Sequence, residues 1–101
     1  MVNHKIQVSR SELSAFCRKH NIRRLAFFGS VLRDDFGPES DVDVLVEFDP
    51  NAKIGLIKFA RIEIELGKII GRKVDLNTEG FISKYLRDRV LSEAEEVYVA
   101  A

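Results

Sequence analysis

The chain has 101 residues, with 16 Lys and Arg against 16 Asp and Glu, so its formal net charge is zero. That length predicts a single domain over 1–101, and its 46% hydrophobic content supports a core that hides roughly 65% of the unfolded surface. Zero net charge argues against direct nucleic-acid binding, the lone Cys17 against a disulfide framework, and the lack of any run near ~18 apolar residues against a membrane span. No apolar run follows Met1, so no signal peptide is expected, and a cytoplasmic location follows by default.

Ser9-Arg10-Ser11-Glu12 has the form of a capping box, with Ser9 as N-cap and Glu12 three residues on. Leu13, Phe16 and Cys17 follow at helical spacing, predicting a helix from Arg10 to His20 that stops at Asn21. Ile22 to Phe28 reads as a strand ending at Gly29. Ser30 to Asp35 reads as a short helix or turn, and Phe36 to Ser40 as a loop. Asp41 to Phe48 is the clearest strand: Val42, Val44, Val46 and Phe48 alternate with Asp41, Asp43, Leu45 and Glu47.

Ile54 to Ile70 predicts a long helix with Leu56, Phe59, Ile62, Leu66, Ile69 and Ile70 along one stripe, closed by Gly71. Lys73 to Leu76 reads as a third strand and Phe81 to Glu93 as a last helix. Val97 to Val99 fits either a short edge strand or a frayed end. The order α, β, short α, β, α, β, α predicts an α/β (α+β) domain, a small sheet flanked by helices.

Chemistry concentrates in two places. Asp41 and Asp43 are two apart on a strand, so both project from one face with Cα atoms roughly 6.5 Å apart. Carboxylates that close repel unless a cation sits between them, and Mg²⁺, hard and oxygen-seeking, suits that position. A second ion can share the pair, as in two-metal phosphoryl transfer. Taken alone, Asp-x-Asp is more often a charged strand face that discourages aggregation. Gly29-Ser30 follows a strand and opens a turn, where glycine lets a phosphate approach the backbone. Arg33, one turn on, can reach a phosphate oxygen. A Gly-Ser turn alone usually means only a turn, and no P-loop pattern is present.

Asp75 sits between Val74 and Leu76. If its strand pairs beside Asp41–Phe48, Asp75 joins the same face, as a general base, a metal ligand or both. Otherwise it is a solvent-facing strand end. Between Asp34 and Asp49 lie Asp34, Asp35, Glu39, Asp41, Asp43, Glu47 and Asp49 with no basic residue among them. The basic groups Arg18-Lys19-His20 and Lys84, Arg87 and Arg89 read as solvated helix surfaces. Cys17 reads as a small core residue.

Gly29-Ser30, Arg33, Ser40-Asp41-x-Asp43 and Asp75 together resemble the nucleotidyltransferase superfamily of DNA polymerase beta. Val74-Asp75-Leu76 followed by Tyr85 to Ala94 is similar to the closing segment of the minimal nucleotidyltransferases. The resemblance spans the chain from about Ile22 onward. It implies a small mixed sheet flanked by helices, with Gly29 and Ser30 at a nucleotide's triphosphate and Arg33 as the basic residue after the turn. It further implies Asp41, Asp43 and Asp75 as the Mg²⁺-binding and catalytic carboxylates. Asp34 stands where that family often has Gly. The resemblance also implies ATP as substrate and a partner HEPN-domain toxin, a ribonuclease silenced by AMP transfer to a tyrosine hydroxyl. The chain would be the antitoxin, in a hetero-oligomer with the toxin. Neutralisation by steric binding alone is the alternative. A small-molecule transferase of the same superfamily is disfavoured, because the length leaves no room for a substrate domain.

Overall fold

In the computed structural model, residues 8–32, 37, 40–81 and 84–100 are described, with 30, 32, 81, 84 and 86 described by backbone alone. Ser9 caps helix α1 (Arg10–Lys19), its Oγ accepting the Glu12 N–H at 3.4 Å. This satisfies one of the donors that a helix start leaves without a partner. Leu13, Phe16 and Cys17 are buried on its inner face. His20 closes the helix, and Asn21, at φ 56, turns the chain into strand β1 (Ile22–Phe28). Asn tolerates that left-handed conformation better than most residues, so the expected stop at this position holds.

Strand β2 (Val42–Phe48) runs antiparallel to β1. Helix α2 (Leu56–Ile70) carries the chain to strand β3 (Val74–Asn77), which lies parallel to β2. Gly71 closes α2 in the left-handed region at φ 78, its N–H donating to Gly67 O at 2.8 Å. A 3₁₀ turn (Glu79–Phe81) precedes helix α3 (Lys84–Glu93), and strand β4 (Glu95–Val99) pairs antiparallel with β1. The sheet order is β3-β2-β1-β4. It is the small mixed sheet with helices that the sequence predicts.

One sheet face carries the core. Leu25 and Phe27 of β1, Val42, Val44 and Val46 of β2, and Val74 and Leu76 of β3 pack there with Phe16 and Leu13 of α1 and Ile62, Leu66 and Ile70 of α2. Burying each such aliphatic or aromatic side chain stabilises the fold by roughly 1.5–3 kcal/mol. Edge strand β3 is also held from the helix layer, because the Leu76 N–H donates to Glu63 Oε2 of α2 at 2.8 Å. That carboxylate occupies a ladder donor that no neighbouring strand covers.

Three expectations need correction. The stripe of α2 does not include Leu56, which is 83% exposed. The first turn of α2 contributes none of its buried residues, which are Ile62, Leu66 and Ile70. The last helix begins at Lys84 instead of Phe81, with a 3₁₀ turn before it. The C-terminal segment is a full strand from Glu95, longer than the Val97–Val99 reading, because β1 offers it an open edge.

Candidate active site

The site follows from strand register. Asp43 of β2 is the Cα partner of Asp75 on β3 and of Phe28 on β1. Residues directly opposite one another share a sheet face. Neighbouring strands lie about 4.8 Å apart, so Asp43 and Asp75 stand side by side on the face away from the core. The condition attached to Asp75 is therefore met: its strand does pair beside β2.

Asp41 lies one residue ahead of β2, and the pleat carries it toward the same face. The Val42 N–H donates to Lys73 O at 2.9 Å, so the ladder reaches the residue next to it. Asp43 is half-buried, whereas Asp41 and Asp75 are exposed. Solvent and substrate can thus reach the outer two carboxylates while the middle one is walled in.

Gly29 forms that wall. It follows Phe28 directly, opens a 3₁₀ turn (Gly29–Leu32), and has φ +73. A Cβ on Gly29 would lie 2.2 Å from Asp43 Oδ2 and 3.1 Å from Asp43 Cγ. The carboxylate therefore rests against the bare backbone of the turn. Glycine is required twice here, by the left-handed backbone and by the closeness of the carboxylate.

Of the predicted site residues, the structure brings Gly29, Asp43 and Asp75 together, with Asp41 one residue ahead of the strand that carries Asp43. The backbone of Ser30 continues the turn. The Ser30 side chain, all of Arg33, and Asp34, Asp35 and Glu39 lie outside what is described. Among the described residues, no three His, Cys, Asp or Glu side chains form a ready-made metal cage. An open set of hard oxygen donors still suits Mg²⁺, which keeps several waters and takes one or two carboxylates together with substrate phosphates. The donor chemistry fits, and the glycine cradle against Asp43 fixes one donor in place.

Two residues that the sequence did not flag act on the carboxylate-bearing segments. Glu63 holds the Leu76 N–H next to Asp75. Arg72 donates to the main chain just ahead of Asp41. Both bond to backbone atoms, which carry no signature in a sequence.

Further along the same face, Ala26 pairs with Leu45. Together with Arg24, Glu47, Thr78 and Leu91 of α3 they line a partly enclosed pocket of about 240 Å³.

The nucleotidyltransferase domain family model matches residues 10–97. The chain belongs to this family. It is a nucleotidyltransferase. A provisionally named protein adenylyltransferase of Methanocaldococcus jannaschii is 38% identical over 79 residues, 78% of this chain and 83% of the relative. The protein adenylyltransferase MntA of Thermococcus cleftensis is 33% identical over 81 residues, 80% of this chain and 78% of MntA. Among solved structures, a provisionally named minimal nucleotidyltransferase superposes with a TM-score of 0.68 at 34% identity, covering 84% of this chain and 85% of that one. Two more distant structures share the fold. A toxin–antitoxin complex with AMP-PNP has a TM-score of 0.71 at 17% identity, covering 92% of this chain and 75% of that one. A Shewanella oneidensis complex of tri-AMPylated HEPN toxin with MNT antitoxin has a TM-score of 0.63 at 16% identity, covering 90% and 70%.

Proposed function

We propose that this nucleotidyltransferase is a protein adenylyltransferase and antitoxin, moving AMP from ATP to a tyrosine hydroxyl of a partner HEPN-type ribonuclease toxin in the cytoplasm. The observation that carries the reading is the register of Asp43 with Asp75 beside the Gly29 turn. Names of relatives support the acceptor class: protein adenylyltransferase in the Thermococcus cleftensis protein, and an AMPylated HEPN toxin in the Shewanella oneidensis complex.

The residues divide the work as follows. The Gly29–Ser30 turn, opening a 3₁₀ turn straight after β1, receives the triphosphate on its backbone N–H groups. Arg33 adds a charged donor to the same phosphates. Asp41 and Asp43, with Asp75, would hold Mg²⁺, whose role when bound is to offset negative charge at the reacting phosphate. Asp75 takes the proton of the acceptor hydroxyl. The acceptor oxygen bonds to the α-phosphorus, the bond from that phosphorus to the bridging oxygen breaks, and pyrophosphate leaves.

The test is transfer itself. With labelled ATP, Mg²⁺ and the HEPN partner, label is expected on the partner and lost with Asp41→Ala/Asp43→Ala. Equal labelling by wild type and that variant refutes the assignment. In cells, rescue from the toxin by the double variant would favour steric neutralisation instead.

A further inference from the structure

Arg72 sits in the turn between α2 and β3, one residue after the Gly71 cap. Its Nη2 donates to two main-chain carbonyls of a distant segment, Gly37 O and, at 2.8 Å, Ser40 O. That segment is also tied to itself: the Ser40 N–H donates to Gly37 O at 3.1 Å, and the Gly37 N–H donates to Ser40 Oγ at 3.0 Å. The next residue along, Lys73, accepts the Val42 N–H at 2.9 Å. Asp41 is therefore bracketed. The carbonyl before it is held by Arg72 and the amide after it by Lys73.

These two anchors lead straight into β3, which delivers Asp75 two residues later. The bracket links the position of Asp41 to that of Asp75 through a few covalent bonds. We propose that Arg72 is a positioning residue for the transfer reaction. It sets Asp41 at a fixed place relative to Asp43 and Asp75 without touching the substrate. This inference rests on the functional reading above.

The chemistry selects arginine. One planar guanidinium nitrogen supplies two directed hydrogens, one for each carbonyl, whereas lysine is a shorter point donor that does not reproduce that geometry. A misplacement of about 1 Å at a reacting group costs on the order of 10²-fold in rate. Loss of the latch is therefore expected to act on kcat, with ATP still recruited by the Gly29 turn.

The experiment uses the full chain with its partner, comparing wild type, Arg72→Ala and Arg72→Lys. Amide hydrogen exchange is measured at Ser40, Val42 and Leu76. Arg72→Ala should speed exchange at Ser40 and Val42 by about tenfold or more, while Leu76, held by Glu63, keeps its wild-type rate. Its kcat should fall on the order of 10²-fold, with KM for ATP within about threefold of wild type. Arg72→Lys, which retains the charge if the alanine variant folds poorly, should show the same pattern to a smaller degree. Wild-type exchange at Ser40 and Val42 in Arg72→Ala, or wild-type kcat and exchange in Arg72→Lys, overturns the proposal. Failure of the functional reading looks different: Asp41→Ala/Asp43→Ala would then transfer AMP like wild type, whatever the exchange data show.

Discussion

Replacing Gly29 with alanine tests the site through a single methyl group. The backbone there is left-handed at φ +73, and an L-residue in that conformation costs about 1–2 kcal/mol. A domain of this size loses roughly 4–8 °C of Tm per kcal/mol, so backbone strain alone lowers Tm by about 4–16 °C. The steric part is separate. The new Cβ would sit 2.2 Å from Asp43 Oδ2, whereas ordinary contact begins at 3.4 Å, so the carboxylate must withdraw by about 1 Å. If Asp43 is part of the reacting assembly, that shift costs on the order of 10²-fold in kcat.

A double-mutant cycle separates the two effects. Asp43→Ala removes Oδ2 and Cγ, the two nearest atoms, while leaving the backbone strain at position 29 intact. Gly29→Ala should therefore cost less stability in the Asp43→Ala background than in wild type, the difference being the coupling between the two sites. Thermal unfolding of the four proteins gives the cycle, and single-turnover AMP transfer by Gly29→Ala gives the rate. The reasoning fails if Gly29→Ala keeps its activity within about threefold of wild type and shows the same loss of Tm in both backgrounds.

Two further predictions concern the helix layer. Burial, the largest single influence, pushes the Glu65 carboxyl up, but hydrogen bonds from His20 and Lys19 and their charges together outweigh it and hold the group below its ordinary value of 4.5. A depressed carboxyl stabilises the fold above its unfolded pKa and loses that contribution as pH falls through the folded value. Wild type should therefore lead Glu65→Gln in Tm above about pH 4.5, with the two converging as pH drops further; an unchanged gap in acid sinks the prediction. Burial pushes the Cys17 thiol up to about 12, against a smaller opposing pull from Arg18. A maleimide or disulfide reagent near pH 8 should leave the native protein untouched and label it fully in denaturant; rapid native labelling would contradict the packing of α1.

What the sequence revealed was local. The Ser9 cap needs only its own first turn, the Gly71 cap only the turn before it, and the Val42, Val44, Val46 alternation only the pleat. Asp41 stands one residue ahead of the strand that carries Asp43, so their common face was legible from the pleat as well. The position of Asp75 was not, since it depends on which strand lies beside β2 and in what register, and no short stretch encodes that. Leu56 misled because amphipathic spacing gives the face of a helix without saying how far along its length that face stays covered. Glu95 and Glu96 fell outside the Val97–Val99 reading, yet the open edge of β1 draws them into a strand, and Arg24 Nε meets Glu96 Oε2 at 2.6 Å. Glu63 and Arg72 were silent because the contacts they make to Leu76, Gly37 and Ser40 are to peptide groups.

The even balance of acid and base conceals how differently the carboxylates are treated. Glu47 lies 3.7 Å from Arg23, an exposed pair worth about 0–1 kcal/mol. Asp49 accepts the Asn51 N–H at 2.9 Å and shapes its own turn. These acids have ordinary structural uses. Asp43 and Asp75 are instead set side by side by the parallel register. The hydrophobic alternation of β2 and β3 would be equally well served by a neutral residue at either position, since both point away from the core. A fold that sets two carboxylates in register, with a bare glycine against one of them, departs at one place from what its hydrophobic pattern alone requires. Such local departures mark functional sites. In this chain the departure lies where β2 and β3 pair beside the Gly29 turn.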